Sequence, residues 1–164
     1  MKNLLLLSAL MTMSLFGHTQ QTKGWEFLQW NTSKDSVEKV LKEKNNLLSE
    51  PWALDANFNF QGMNTWLIYN TQNKLIQVHQ RKTFSVINQK EAAEFYKTKK
   101  TELITKYGKP QTVSENKKDS VVNLLWKLKY TRITLEYDYR YKIIDEFGAG
   151  SYWVDIVFEP AKSE

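Results

Sequence analysis

The chain has 164 residues, with 23 Lys+Arg against 18 Asp+Glu and a formal charge of +5. Its 41% hydrophobic and 25% charged shares are those of an ordinary globular protein and exclude collagen-like, coiled-coil and wholly disordered chains. It has no cysteine, which excludes a disulfide scaffold, a zinc finger, an iron–sulfur cluster and thiol catalysis.

Met1-Lys2-Asn3 is a short basic start, Leu4 to Phe16 is a mostly apolar run, and Gly17-His18-Thr19 follows with small or polar residues. That order is that of a secretory signal peptide. The rival is a membrane anchor, but 13 helical residues span only about 20 Å of a hydrocarbon core about 30 Å thick. Residues 1–20 are therefore expected to be removed, with cleavage between Gly17 and Gln21 and a mature domain over 21–164. A lipoprotein needs a cysteine after the apolar run, so neither a lipid anchor nor a membrane span is expected. Removal takes away one lysine and leaves a net charge of +4.

In the mature chain, Asn31-Thr32-Ser33-Lys34-Asp35 predicts a helix start, with Thr32 as the capping residue. Val37, Val40 and Leu41 form the apolar stripe, and the helix ends near 44–48, before Pro51. Strand-like sequence follows. Leu54, Ala56, Phe58 and Phe60 alternate with polar residues, Thr65 to Tyr69 is a second run, Asn70 to Asn73 is a turn, and Leu75 to Phe84 is a third strand. Asn88 and Glu91 start a second helix with Ala92, Phe95, Tyr96, Leu103 and Tyr107 near one face. Gly108 and Pro110 end it. Lys97, Lys99, Lys100, Lys106 and Lys109 crowd this helix and are expected to form a solvated face. Val121 to Leu128, Ile133 to Tyr141 and Tyr152 to Phe158 are the later strands, the last two separated by a break at Phe147 to Ser151.

Helix, proline and three strands thus occur twice, over about 24–84 and 88–160. Pro51 and Pro110 are 59 apart, Trp66 and Trp126 60 apart, and Thr32 and Asn88 56 apart. A unit of about 60 residues buries only about 60% of its unfolded surface and is marginal alone. The expected fold is therefore α+β: two tandem helix-plus-three-strand units forming one antiparallel sheet, with helices packed on one face. The opposite face is left to water or to a partner.

Trp30-Asn31-Thr32-Ser33-Lys34-Asp35-Ser36-Val37 resembles the helix start of small periplasmic proteins, and Tyr107-Gly108-Lys109-Pro110 resembles the helix end of many of them. With the doubled order, the chain looks like the β-lactamase-inhibitor-protein-like architecture, shared in part by uncharacterised secreted bacterial proteins. The resemblance implies a helical layer behind a curved antiparallel sheet whose open face grips another macromolecule. This chain lacks the inhibitor's cysteines, and no inhibitor contact residue can be matched, so no functional residue is carried over.

Few residues suggest chemistry. His79 is the single histidine of the mature chain, with no metal-binding spacing around it, and fits a strand histidine facing solvent or capped by a neighbour. Glu136 and Asp138 share one strand face, roughly 7 Å apart, a separation that a glycosidase could use. With Thr134 and Arg140 they also form an ordinary solvated face. Asp145-Glu146 lacks a calcium-loop pattern, and the six glycines make no phosphate loop. No cofactor, metal or catalytic residue is expected. Export and interspersed acids argue against nucleic acid despite the basic excess. Trp153 alternates with Asp155 and Glu159, away from Tyr152, Val154, Ile156 and Phe158. It is either an outward anchor or sugar-stacking platform, or it packs under the 147–151 loop.

The expected function is an exported, non-catalytic binding module of the bacterial envelope, taking a protein or envelope component. Its candidate surface is Trp153, Asp155, Glu136, Asp138 and Arg140. The alternative is an envelope carbohydrate-binding or carbohydrate-active enzyme domain.

Overall fold

Apolar residues along the chain switch between a period of 3.6 and a period of 2, and the backbone follows them. A computed structural model describes residues 23–44, 57–118, 120–143 and 150–161. The expected signal peptide, Pro51, Asp145-Glu146 and Phe147 to Ala149 lie outside the described residues.

The elements in chain order begin with two short strands, β1 (Gly24–Trp25) and β2 (Leu28–Gln29), and helix α1 (Lys34–Glu43). Strands β3 (Asn57–Phe60), β4 (Met63–Tyr69) and β5 (Leu75–Ser85) follow. A single 3-10 turn, Val86–Asn88, leads into helix α2 (Gln89–Tyr107). Strands β6 (Thr112–Asn116), β7 (Val121–Lys127), β8 (Thr131–Ile143) and β9 (Gly150–Pro160) complete the chain. The fold is α+β. β3 to β9 form one seven-stranded sheet in the order β3-β4-β5-β9-β8-β7-β6, and β1 pairs with β2 alone. Every pairing is antiparallel.

The sheet has one dry face. Leu67, Val78, Leu124, Ile133, Leu135 and Val154 are all 0% exposed. The register places them on the same side as Phe158, Ile156 and Tyr152. α2 packs across β9, β5 and β8. Its Tyr96 stacks on Tyr137 at 5.0 Å between ring centroids, and its Phe95 meets Phe84 at 5.5 Å. Val37 and Leu41 bring α1 into the same apolar cluster. Trp25 closes one end of the cluster, its ring 4.9 Å from that of Phe60. At Gly24 the β1–β2 turn folds so tightly that a Cβ would collide with the Leu28 carbonyl oxygen.

Several expectations are corrected. α1 is capped at Ser33 rather than Thr32, and Ser33 Oγ lies 2.8 Å from Ser36 Oγ instead of bonding to the backbone. Thr32 serves elsewhere: its carbonyl accepts from Leu75 N at 2.9 Å, tying α1 to β5. β6 is a strand the sequence did not announce, so the second helix is followed by four strands rather than the expected three. All five of its residues are exposed, so it has no buried alternation to read. Lys99 does not join the solvated lysines; it is 7% exposed, on the buried side of α2 with Ala92, Leu103 and Tyr107. The matched spacing of Trp66 and Trp126 is not structural. Trp126 lies on the helix-covered face, 0% exposed and donating from Nε1 to Gly108 O at 2.7 Å, whereas Trp66 lies on the opposite face.

Candidate functional site

Among the described residues no helix packs on the other face of the sheet, and this helix-free face is built by the other parity of each strand. On β5, Val78 and Gln80 point into the core, so His79, Arg81 and Thr83 point out. On β9, Val154, Ile156 and Phe158 point in, so Trp153, Asp155 and Val157 point out. On β8, Leu135 and Tyr137 point in, so Thr134, Glu136 and Asp138 point out.

Register then decides who meets whom. Arg81 stands opposite Asp155 and Thr83 opposite Trp153 across the β5–β9 ladder. Glu136 stands opposite Asp155 and Asp138 opposite Trp153 across the β8–β9 ladder. Trp66 stands opposite His79 across β4–β5. The centre of the face is thus a cross-strand cluster of acids, bases and indoles drawn from four adjacent strands.

Its core is a forked ion pair. Arg81 Nε donates to Asp155 Oδ1 at 2.7 Å and its Nη2 donates to Oδ2 at 2.6 Å. Two parallel charge-assisted bonds fix both orientation and spacing. His79 Nε2 lies 3.4 Å from Asp155 Oδ1, close enough for attraction when protonated but without hydrogen-bond geometry. The Asp155 side chain is 8% exposed, against 37% for Arg81 and 26% for His79. Burial pushes the Asp155 carboxyl up, but the Arg81 bonds, helped by His79, outweigh it and hold the group below the usual carboxylate range. The hydrogen bonds to Asp155 raise Arg81 against the lowering effect of its own burial, and Glu136 and Asp138 add to the rise.

The aromatic rings are engaged as well. The Arg81 guanidinium lies 5.1 Å from the Trp153 ring centroid, and the Trp66 and His79 rings lie 5.4 Å apart. A cation over an indole contributes about 0.5–1 kcal/mol at an exposed site. Nearby, Arg132 Nε and Glu159 Oε1 form a second cross-strand pair at 3.3 Å.

Four of the five expected surface residues, Trp153, Asp155, Glu136 and Asp138, do come together here. Asp138 is more enclosed than a solvated strand face implies, at 1% exposed. The Arg140 side chain lies outside the described residues. Sequence reasoning missed Arg81 and Trp66 and left His79 without partners. The signal was the parity of β5: His79 and Arg81 fall two apart on one face, with charge opposite to that of Asp155.

The arrangement joins a forked ion pair, a neighbouring imidazole and two indoles on one face of the sheet. A carboxyl group acting as a general acid needs a raised pKa, and Asp155 is shifted the other way. Among the described residues His79 Nε2 has no hydrogen-bond partner, and no group of three or more His, Asp or Glu could hold a metal ion. Among them, too, no helix is long and apolar enough to cross a membrane.

No protein-family model matches the chain, and no curated protein matches it. A solved structure of a DUF4309 family protein (YjgB) from Bacillus subtilis subsp. subtilis str. 168 is similar over 87% of this chain and 86% of that one. The identity is 13% and the TM-score 0.42.

Proposed function

We propose that the chain is an exported, non-catalytic binding module that takes a protein partner of the bacterial envelope on the helix-free face of its sheet. The observation that carries this reading is the division of the sheet. Its buried apolar side chains go to the helix-covered face, while Trp66, His79, Arg81, Trp153 and Asp155 gather at the centre of the other. Tryptophan and arginine held in place by neighbours are the residue types that anchor protein interfaces. One approach to the Trp153 ring is already taken by Arg81, which favours a protein surface over a stacked sugar.

The same reading treats 24–84 and 88–160 as two copies of one unit. What supports it is the strand order: each half is a helix followed by an antiparallel meander, of three strands in the first and four in the second, and the last strands, β5 and β9, are neighbours. Export rests on the basic start and apolar run of residues 1–16.

Site-specific photo-crosslinking tests the binding face. A photoreactive residue at the exposed Thr83, beside Trp153, is expected to capture a discrete envelope protein, and capture should be lost with Trp153→Ala. The same probe at the exposed Lys97 on α2 is the control. Identical products at both positions would refute the assignment, as would retention on a glycan matrix with no protein product.

A further inference from the structure

The dry side of the sheet contains a polar wall of its own. Lys99 of α2 is 7% exposed and Gln80 of β5 is 5% exposed, both within an apolar core. Both border a cavity of about 550 Å³ between α2, the β1–β2 turn and the β3–β4 hairpin. Small-molecule sites occupy about 300–1,000 Å³ and combine an apolar lining with a few polar groups. Here Met63, Leu103, Ile156 and Phe158 supply the apolar wall.

Two lysines, Lys99 and Lys106, and two glutamates, Glu26 and Glu102, line the cavity, and the Lys99–Glu102 pair is unequally buried. Lys99 Nζ donates to Glu102 Oε2 at 2.8 Å, but the Glu102 side chain is 52% exposed while that of Lys99 is 9% exposed. The cation is thus far more buried than its counter-charge, which stands at the cavity rim half open to water. An ammonium has three donors. Among the described residues Glu102 is the hydrogen-bond acceptor for one, and the Phe95 ring lies 5.5 Å from Nζ. The second lysine at the cavity, Lys106, is already offset by Glu26 at 2.7 Å. Gln80 Nε2 is committed to Thr65 Oγ1 at 3.2 Å. Lys99 is therefore the group that a ligand would complete, and it calls for an anion beside an apolar body.

We propose that this cavity is a binding site for a small amphipathic carboxylate, with its apolar body against Met63, Leu103, Ile156 and Phe158 and its head on the Lys99 ammonium. This site lies on the opposite face of the sheet from the proposed partner surface, so either can fail without the other.

Calorimetric titration of the full chain with decanoate, decanol and decylammonium tests it. Decanoate is expected to bind, with decanol and decylammonium at least about tenfold weaker, the cost of one lost charge-assisted hydrogen bond. Lys99→Met keeps the length of the side chain and should weaken decanoate at least about tenfold on the same grounds. Glu102→Gln alters an exposed group, preserves the fold and removes the competing carboxylate, so it should tighten decanoate binding. The proposal is overturned by no decanoate binding, by equal binding of decanol, or by wild-type affinity in Lys99→Met, as expected of a lysine that only snorkels. Should Lys99→Met fail to fold, unchanged or weaker decanoate binding in Glu102→Gln overturns it.

Discussion

Removing either member of the Arg81–Asp155 pair should cost unequal amounts, because the two side chains are unequally buried. Arg81→Met leaves a carboxylate whose side chain is 8% exposed. Removing one partner of a buried pair costs about 3–5 kcal/mol, and the lower end applies because His79 remains 3.4 Å from Asp155. Asp155→Asn instead leaves a guanidinium that is 37% exposed and can hydrate, so its cost, discounted for solvent screening, is about 1–1.5 kcal/mol. At this chain length 1 kcal/mol moves the melting temperature about 2–4 °C, giving a loss of roughly 6–12 °C for Arg81→Met.

The pH dependence carries a sign. In the native chain Asp155 titrates below its ordinary value, so its contribution to stability is complete above about pH 4 and is lost as pH falls through the lowered folded value. In Arg81→Met the opposing effect of burial is no longer outweighed, and the folded value rises. Its penalty therefore shrinks as the solution is acidified from pH 7.5 towards pH 4. Urea denaturation followed by tryptophan fluorescence, on both single variants and the double, gives the costs and their coupling. A coupling of about 1–2 kcal/mol is expected, well beyond the additivity error of about 0.5 kcal/mol. Equal costs, a larger loss in Asp155→Asn, or additivity of the two would refute the reasoning.

Gly24→Ala should displace or unfold the β1–β2 hairpin, since the added Cβ meets backbone rather than a movable side chain; loss of Trp25 burial would appear as a red-shifted fluorescence maximum. Trp126→Phe removes the bond to Gly108 O and leaves a void in a fully buried site, with an expected loss of about 2–4 kcal/mol in chemical denaturation and little change in secondary structure. N-terminal sequencing of the chain recovered from outside the cytoplasm should begin between His18 and Gln21; a chain that still starts at Met1 would refute processing.

What could be read from sequence was what periodicity encodes. The alternation of Ile133, Leu135 and Tyr137 with Thr134, Glu136 and Asp138 assigned faces correctly, because burial of one side of a strand imposes period 2. The Asn70 to Asn73 turn was legible too: Asn70 Oδ1 accepts from Gln72 N and Lys74 N, as a turn asparagine does. β6 was not legible, since an exposed edge strand has no core to mark it. Lys99 was misread because composition suggests solvent for any lysine, whereas its place on the Ala92, Leu103 and Tyr107 stripe put it inside. Most of the site was hidden for a different reason. Asp155 and Trp153 could be placed on one face, but their partners on β5 depend on a pairing between strands 74 residues apart.

That pairing also explains where the cluster sits. β5 ends the first meander and β9 ends the second, so the β5–β9 ladder is where the two halves of the sheet meet. Arg81 and His79 come from one side of the seam and Asp155 and Trp153 from the other. Neither half holds the forked pair by itself, and the register that aligns Arg81 with Asp155 also aligns Val78 with Phe158 and Gln80 with Ile156 in the core behind it. A slip of one residue would send Asp155 into the apolar face and Val154 or Ile156 out of it. The ion pair therefore penalises the wrong register as well as stabilising the right one, and the surface proposed for binding exists only when the seam has closed.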